Sequence, residues 1–118
     1  MAYRVRSLIA GLAAAILSFN IACAHDFWIS RQGLKNAAGE WCCGAGDCGA
    51  FVGGSITPAV GGYQVDATYA LPGQSDKPFR VVEFVPYAEA QPSPDGAYWR
   101  CHRPDGSRRC FFAPPPGS

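Results

Sequence analysis

From residue 63 to 69 the chain alternates without a break. Tyr63, Val65, Ala67 and Tyr69 fall on one side, and Gln64, Asp66 and Thr68 on the other. A period of two predicts a half-buried β-strand. Residues 79–85 are β-rich and nearly continuous in apolar character, with Glu83 breaking the middle of the run. They predict a second strand, nearer the centre of a sheet, which Pro86 ends. The residues between, 71–78, carry Pro72-Gly73 and Ser75-Asp76 and predict a loop.

Two more strands are predicted near the end of the chain, over 97–103 and 108–113. Pro104-Asp105-Gly106-Ser107 supplies the turn between them, and Pro-Asp-Gly also occurs at 94–96. Residues 87–91 fit a single helical turn. A four-residue loop at 104–107 would set Cys101 opposite Cys110 and Trp99 opposite Phe112. It would set Arg103 opposite Arg108, and His102 opposite Arg109 on the other face. Residues 25–41 lack a sustained 3.6 period. They predict an irregular segment, with at most a helical turn near 29–37, whose aromatics pack onto the sheet. Residues 42–54 hold Gly44, Gly46, Gly49, Gly53 and Gly54 and predict a loop, with room for a short extended piece at Phe51 and Val52. The fold class is mainly β: a small antiparallel sheet with a C-terminal hairpin and an irregular N-terminal third.

The first 24 residues change the picture of where this domain works. Arg4 and Arg6 precede a short apolar run from Leu8 to Leu17, and Ala22-Cys23-Ala24 forms an A-x-A cleavage site. This is the pattern of a signal peptide, and Ser18 and Asn20 break the run short of a membrane span. Lipidation of Cys23 is the alternative, disfavoured by Asn20 three positions earlier. Cleavage leaves a domain over 25–113 and a proline-rich tail over 114–118. The expected location is periplasmic or secreted, with no membrane anchor after cleavage. Without Arg4 and Arg6 the chain keeps 8 basic and 9 acidic residues. That balance gives no case for nucleic acid as a partner. Arg100, Arg103, Arg108 and Arg109 cluster near Asp95 and Asp105, which suggests a solvated hairpin face.

Export supplies an oxidising compartment, and a domain of this size rich in Gly and Pro needs crosslinks. Cys42, Cys43, Cys48, Cys101 and Cys110 are the disulfide candidates. In one arrangement Cys101 bonds Cys110 and the 42–48 segment closes on itself. In the other, Cys101 and Cys110 each reach back to that segment. Longer loops bring more stabilisation in the chain-entropy model, which favours at least one bond from Cys42 or Cys43 to the hairpin. Five cysteines leave one over, most simply an inert buried thiol.

His25-Asp26-Phe27-Trp28, Cys42-Cys43-Gly44 with Asp47-Cys48, Pro94-Asp95-Gly96, Trp99-Arg100-Cys101-His102-Arg103, Cys110-Phe111-Phe112 and Pro114-Pro115-Pro116 together resemble a group of small exported hypothetical proteins of alphaproteobacteria. The likeness covers most of the mature chain. That group carries no assigned activity, so the resemblance implies export and adds neither a fold nor a catalytic residue.

Candidate chemistry is sparse. Cleavage would make His25 the N-terminal residue, whose amine and imidazole could bind copper with His102 as a further ligand. The plain alternative is a frayed terminus and a surface histidine. Zinc and thiol-exchange sites lack their usual C-x2-C spacing, and no triad or acid–base pair stands out. Glu83 is read as a solvent-facing position. Trp41 and Trp99 are read as core, and Tyr87 and Tyr98 as surface positions suited to a partner. No enzyme activity is expected. The favoured role is a binding or interaction module of the cell envelope, whose partner is an unidentified envelope protein or ligand and which needs no cofactor. Copper binding is the alternative.

Overall fold

The structure, a computed structural model, describes residues 27–42 and 46–115. The expected signal peptide over 1–24 with Cys23, and also His25, Cys43 and the tail beyond Pro115, lie outside the described residues. A helical turn at Trp28–Arg31 precedes six strands: β1 Cys48–Ala59, β2 Gly62–Ala70, β3 Phe79–Pro86, β4 Ala90–Pro92, β5 Trp99–His102 and β6 Arg108–Ala113. They form one sheet in the order β3-β2-β1-β5-β6-β4. All neighbours are antiparallel except β4 and β6, which run parallel.

The sheet is mainly β as the alternation predicted, but several expectations are corrected. Residues 48–54 are no loop: β1, the longest strand among the described residues, starts at Cys48. Two of its glycines, Gly49 and Gly54, serve close approach. A Cβ on Gly49 would lie 3.0 Å from Tyr69 Cβ and 3.1 Å from the Phe79 ring. At Gly54, beside a β-bulge, φ is +90° and a Cβ would overlap the Asp66 carbonyl. The 79–86 strand is an edge strand, not a central one. Its inward Glu83 is a common guard against edge pairing. The helical turn covers Trp28–Arg31 alone, and a 3-10 turn occupies Tyr87–Glu89.

Two clusters hold the fold, one on each side of the sheet. The inner face packs Val65, Ala67, Tyr69, Val85, Phe111 and Ala113. The outer face of β5 and β6 packs Trp99, Cys101, Cys110 and Phe112 against Ile29 and Cys42 of the N-terminal segment. That segment is pinned by its aromatics and by Asp95. The Asp95 carboxylate accepts hydrogen bonds from the indole N–H groups of Trp28 (3.2 Å) and Trp99 (2.9 Å). Trp99 is buried, as read from sequence, whereas Trp41 is 53% exposed under the Lys35 ammonium, 4.2 Å from its ring centre.

Both Pro-Asp-Gly segments make the same turn. Asp95 Oδ1 accepts from Ala97 N–H and the Ser93 hydroxyl, and Asp105 Oδ1 accepts from Ser107 N–H and its hydroxyl. Gly96 and Gly106 follow with φ of 76° and 88°. Across the second turn Cys101 pairs with Cys110 and Trp99 with Phe112, as the loop length predicted. A register shift then pairs His102 with Arg108 instead of Arg109.

The disulfides are Cys42–Cys110 and Cys48–Cys101. Both are long-range, and the direct Cys101–Cys110 bond is not made. Two disulfides are the mark of an oxidising compartment. Among the described residues no helix is long and apolar enough to cross a membrane.

Candidate functional site

Charge on the hairpin is the first place to look for a site, because four arginines lie within ten residues. The hairpin face is not simply solvated. Each guanidinium meets a carboxylate brought from elsewhere in the chain. Arg100 and Arg108 hold Glu83, at 2.9 Å each, and Arg108 also holds Glu89 at 2.7 Å. Arg103 grips Glu40 through two bonds and Arg109 reaches Asp47 at 3.1 Å. Glu83 therefore faces inward, with its side chain only 15% exposed. Because it comes from β3 while its partners come from β5 and β6, it spans the curl of the sheet.

A cleft of about 340 Å³ opens beside Arg103, Arg108 and Arg109. Its cations are already matched by Glu40, Glu89, Asp47 and Glu83. The Arg103 guanidinium, by hydrogen bonding, holds the Glu40 carboxyl down at about 2, with help from Asn36. Arg109 Nε has no acceptor among the described residues, but it is closed off from solvent. This cleft is a structural joint with little charge left for a ligand.

A second cleft, of about 390 Å³, lies at the open end of the curled sheet. The 71–78 loop forms one wall and the β5–β6 hairpin the other. Leu71, Phe79 and Val81 make it apolar, and Gln74, Lys77 and His102 supply polar groups. The Phe79 ring stacks on Tyr69 at 29° and meets the His102 imidazole edge-on at 84°, with centroids 6.1 Å apart. Gly49 makes this possible, since any side chain there would push on both Tyr69 and Phe79. Lys77 has no ion pair among the described residues, and the His102 imidazole bonds to none of them; only its backbone does. Arg80 and Arg100 also line the cleft but are held by Asp66 and Glu83. An apolar floor with a few convergent polar groups is the usual form of a small-molecule site.

The structure places the residues singled out from sequence in different parts of the molecule. His102 lies in this cleft. Tyr87 sits at the opposite end, 43% exposed, with its hydroxyl donating to the Ala59 carbonyl at 2.8 Å. Tyr98 is half-buried against Phe51, Tyr63 and Phe111, and burial, then Tyr63, pushes its hydroxyl upward. The four described candidate cysteines are all in disulfides. No group of three or more metal-binding side chains occurs among the described residues. Sequence reasoning missed Gln74, Lys77 and Phe79. The signal was a polar loop running straight into an aromatic strand start.

Fold and cleft together define a small disulfide-linked β protein whose cleft at His102, unlike the one beside Arg103, holds a cation without an ion pair among the described residues. No protein-family model, curated protein or solved structure matches the chain.

Proposed function

We propose that this is an exported, non-catalytic binding module of the cell envelope, periplasmic or secreted, which binds through the cleft at His102. The reading rests on one contrast. Around the hairpin each arginine is answered by an acid, while the Lys77 ammonium and the His102 imidazole stand over an apolar floor with no polar partner among the described residues. Polar groups left unengaged beside apolar surface are what a ligand site provides. The sequence-level signs of export and the two disulfides support the location. Isotope-labelled mature protein, titrated with envelope extract and followed by NMR, tests the reading. Changes centred on Gln74, Lys77, Phe79 and His102 are expected. An extract that leaves those signals untouched counts against it.

A second reading, copper binding by a mature His25 terminus together with His102, is favoured by the unengaged His102 imidazole. It predicts that copper raises the melting temperature of protein beginning at His25. Protein carrying one added residue before His25 should not respond. An equal response from both removes this reading.

A further inference from the structure

Resting on the binding reading above, we propose that the His102 cleft takes a small organic anion with a flat apolar body, of the aromatic carboxylate class. Three observations carry this. First, cationic and polar groups line the cleft and no carboxylate does. Asp66 and Glu83, which neutralise Arg80 and Arg100, lie outside its lining. The local balance is positive through Lys77, whose ammonium has no ion pair among the described residues. Second, the Phe79 ring and the His102 imidazole stand nearly perpendicular, 6.1 Å apart. They offer a flat guest a face and an edge, the geometries aromatic pairs prefer. Third, the volume of about 390 Å³ is in the range of small-molecule sites. Such a guest would set its ring on Phe79, Leu71 and Val81 and turn its carboxylate to Lys77 and the Gln74 amide.

An inorganic anion would leave the apolar floor wet, and a neutral aromatic would leave Lys77 unused. The two halves of the ligand can therefore be tested apart. Folded mature protein is titrated separately with benzoate, inorganic phosphate and benzyl alcohol, with backbone amide NMR as the readout. Benzoate should shift Gln74, Lys77, Phe79 and His102 saturably. Phosphate and benzyl alcohol should each bind roughly tenfold more weakly. Lys77→Ala removes an exposed side chain that holds nothing in the fold. It should weaken benzoate roughly fivefold, the value of one exposed charge pair. His102→Ala should weaken it as well, with the rest of the spectrum unchanged. Absent saturation, phosphate binding as well as benzoate, or indifference to Lys77→Ala would each overturn the proposal. If benzoate fails while envelope extract still perturbs the cleft, the ligand class falls and the binding reading stands. If neither perturbs it, both fall.

Discussion

Cys101 faces Cys110 directly across the β5–β6 hairpin, yet each sulfur is bonded elsewhere. Cys101 has a second cross-strand neighbour, Cys48 on β1, and bonds that one. Cys110 is left to take Cys42 from the segment covering the outer face. Three neighbouring strands thus carry a row of cysteines, and the bond pattern ties the row to its cover.

The bridges are nested, which sets how their loss should add. With Cys48–Cys101 closed, Cys42–Cys110 completes a ring of only about 15 residues, worth about 3 kcal/mol in the chain-entropy model. Alone, either bridge closes a span of 53 or 68 residues, worth about 4 kcal/mol. Replacing one cysteine pair by serine should therefore cost about 3 kcal/mol, and replacing the second pair about 4 more. Urea unfolding of the two double variants and the quadruple variant checks this. Equal, independent losses would show that the bridges act through local packing instead.

The hydroxyls of Tyr69 and Tyr87 should respond in opposite ways to removal. Tyr69 Oη is buried with no hydrogen-bond partner among the described residues. Burial, then the nearby Glu83 carboxylate, drives its ionisation far upward. Tyr69→Phe should raise stability by about 1 kcal/mol, since it removes a desolvated group that gains nothing. Tyr87→Phe loses a bond to the Ala59 carbonyl and should cost about 0.5–1 kcal/mol. Chemical denaturation of both variants provides the comparison.

How much of this could be read from the chain follows from the range of each cause. The 63–69 strand was legible because its alternation is local. The final hairpin was legible because Pro104 to Ser107 carries its own turn chemistry and fixes the distance from Cys101 to Cys110. Strand β1 was not, because Gly49 and Gly54 owe their place to Tyr69, Phe79 and Asp66, which lie beyond the reach of a local pattern. In one dimension a glycine kept for close approach looks like one kept for a turn. The edge position of β3 is likewise a matter of topology. The arginines misled for the same reason: Arg103 and Arg109 find their acids 63 and 62 residues away. His102 was noticed for its chemistry, but its cleft exists only once the 71–78 loop and the hairpin meet.

Acid should loosen the cover before it unfolds the sheet. Glu40 titrates near 2 in the fold against an ordinary 4.5, chiefly because Arg103, then Asn36, hydrogen-bonds its charged form. The unfolded chain thus takes up this proton first as pH drops. The contribution of the pair is complete above about pH 4.5 and is lost as pH falls toward about 2. Asn36 also donates to the Arg109 carbonyl, so the 34–42 segment is fastened to the hairpin at this point. The melting temperature of Glu40→Gln should lie below wild type at neutral pH and converge on it through that window. Hydrogen exchange at the Cys42 amide, bonded to the Leu34 carbonyl, should speed up over the same range. A gap that stays constant with pH would sink this account.

Two ion pairs of β3 should differ sharply in what they contribute. Arg80 and Asp66 are 67% and 50% exposed. Exposed pairs are worth about 0–1 kcal/mol, so Asp66→Asn should be nearly neutral. Glu83 is the opposite case. It lies inside the curl between Arg100, whose side chain is 5% exposed, and Arg108 at 16%. Glu83→Leu would leave Arg100 buried with only the Gly106 carbonyl as acceptor. Breaking such a pair from one side costs about 3–5 kcal/mol. Arg108 keeps Glu89 at the surface, so Arg108→Leu should cost less, because Glu83 still holds Arg100. Replacing Glu83 and Arg100 together by leucine should recover much of the loss, since no bare guanidinium remains at that position. Added salt should change none of this ordering, because buried pairs are weakly screened. If Glu83→Leu cost no more than Asp66→Asn, the ion pair would not be what holds the β3 edge to the hairpin. The curl, and the cleft at its open end, would then have to rest on the Phe79–Tyr69 contact alone.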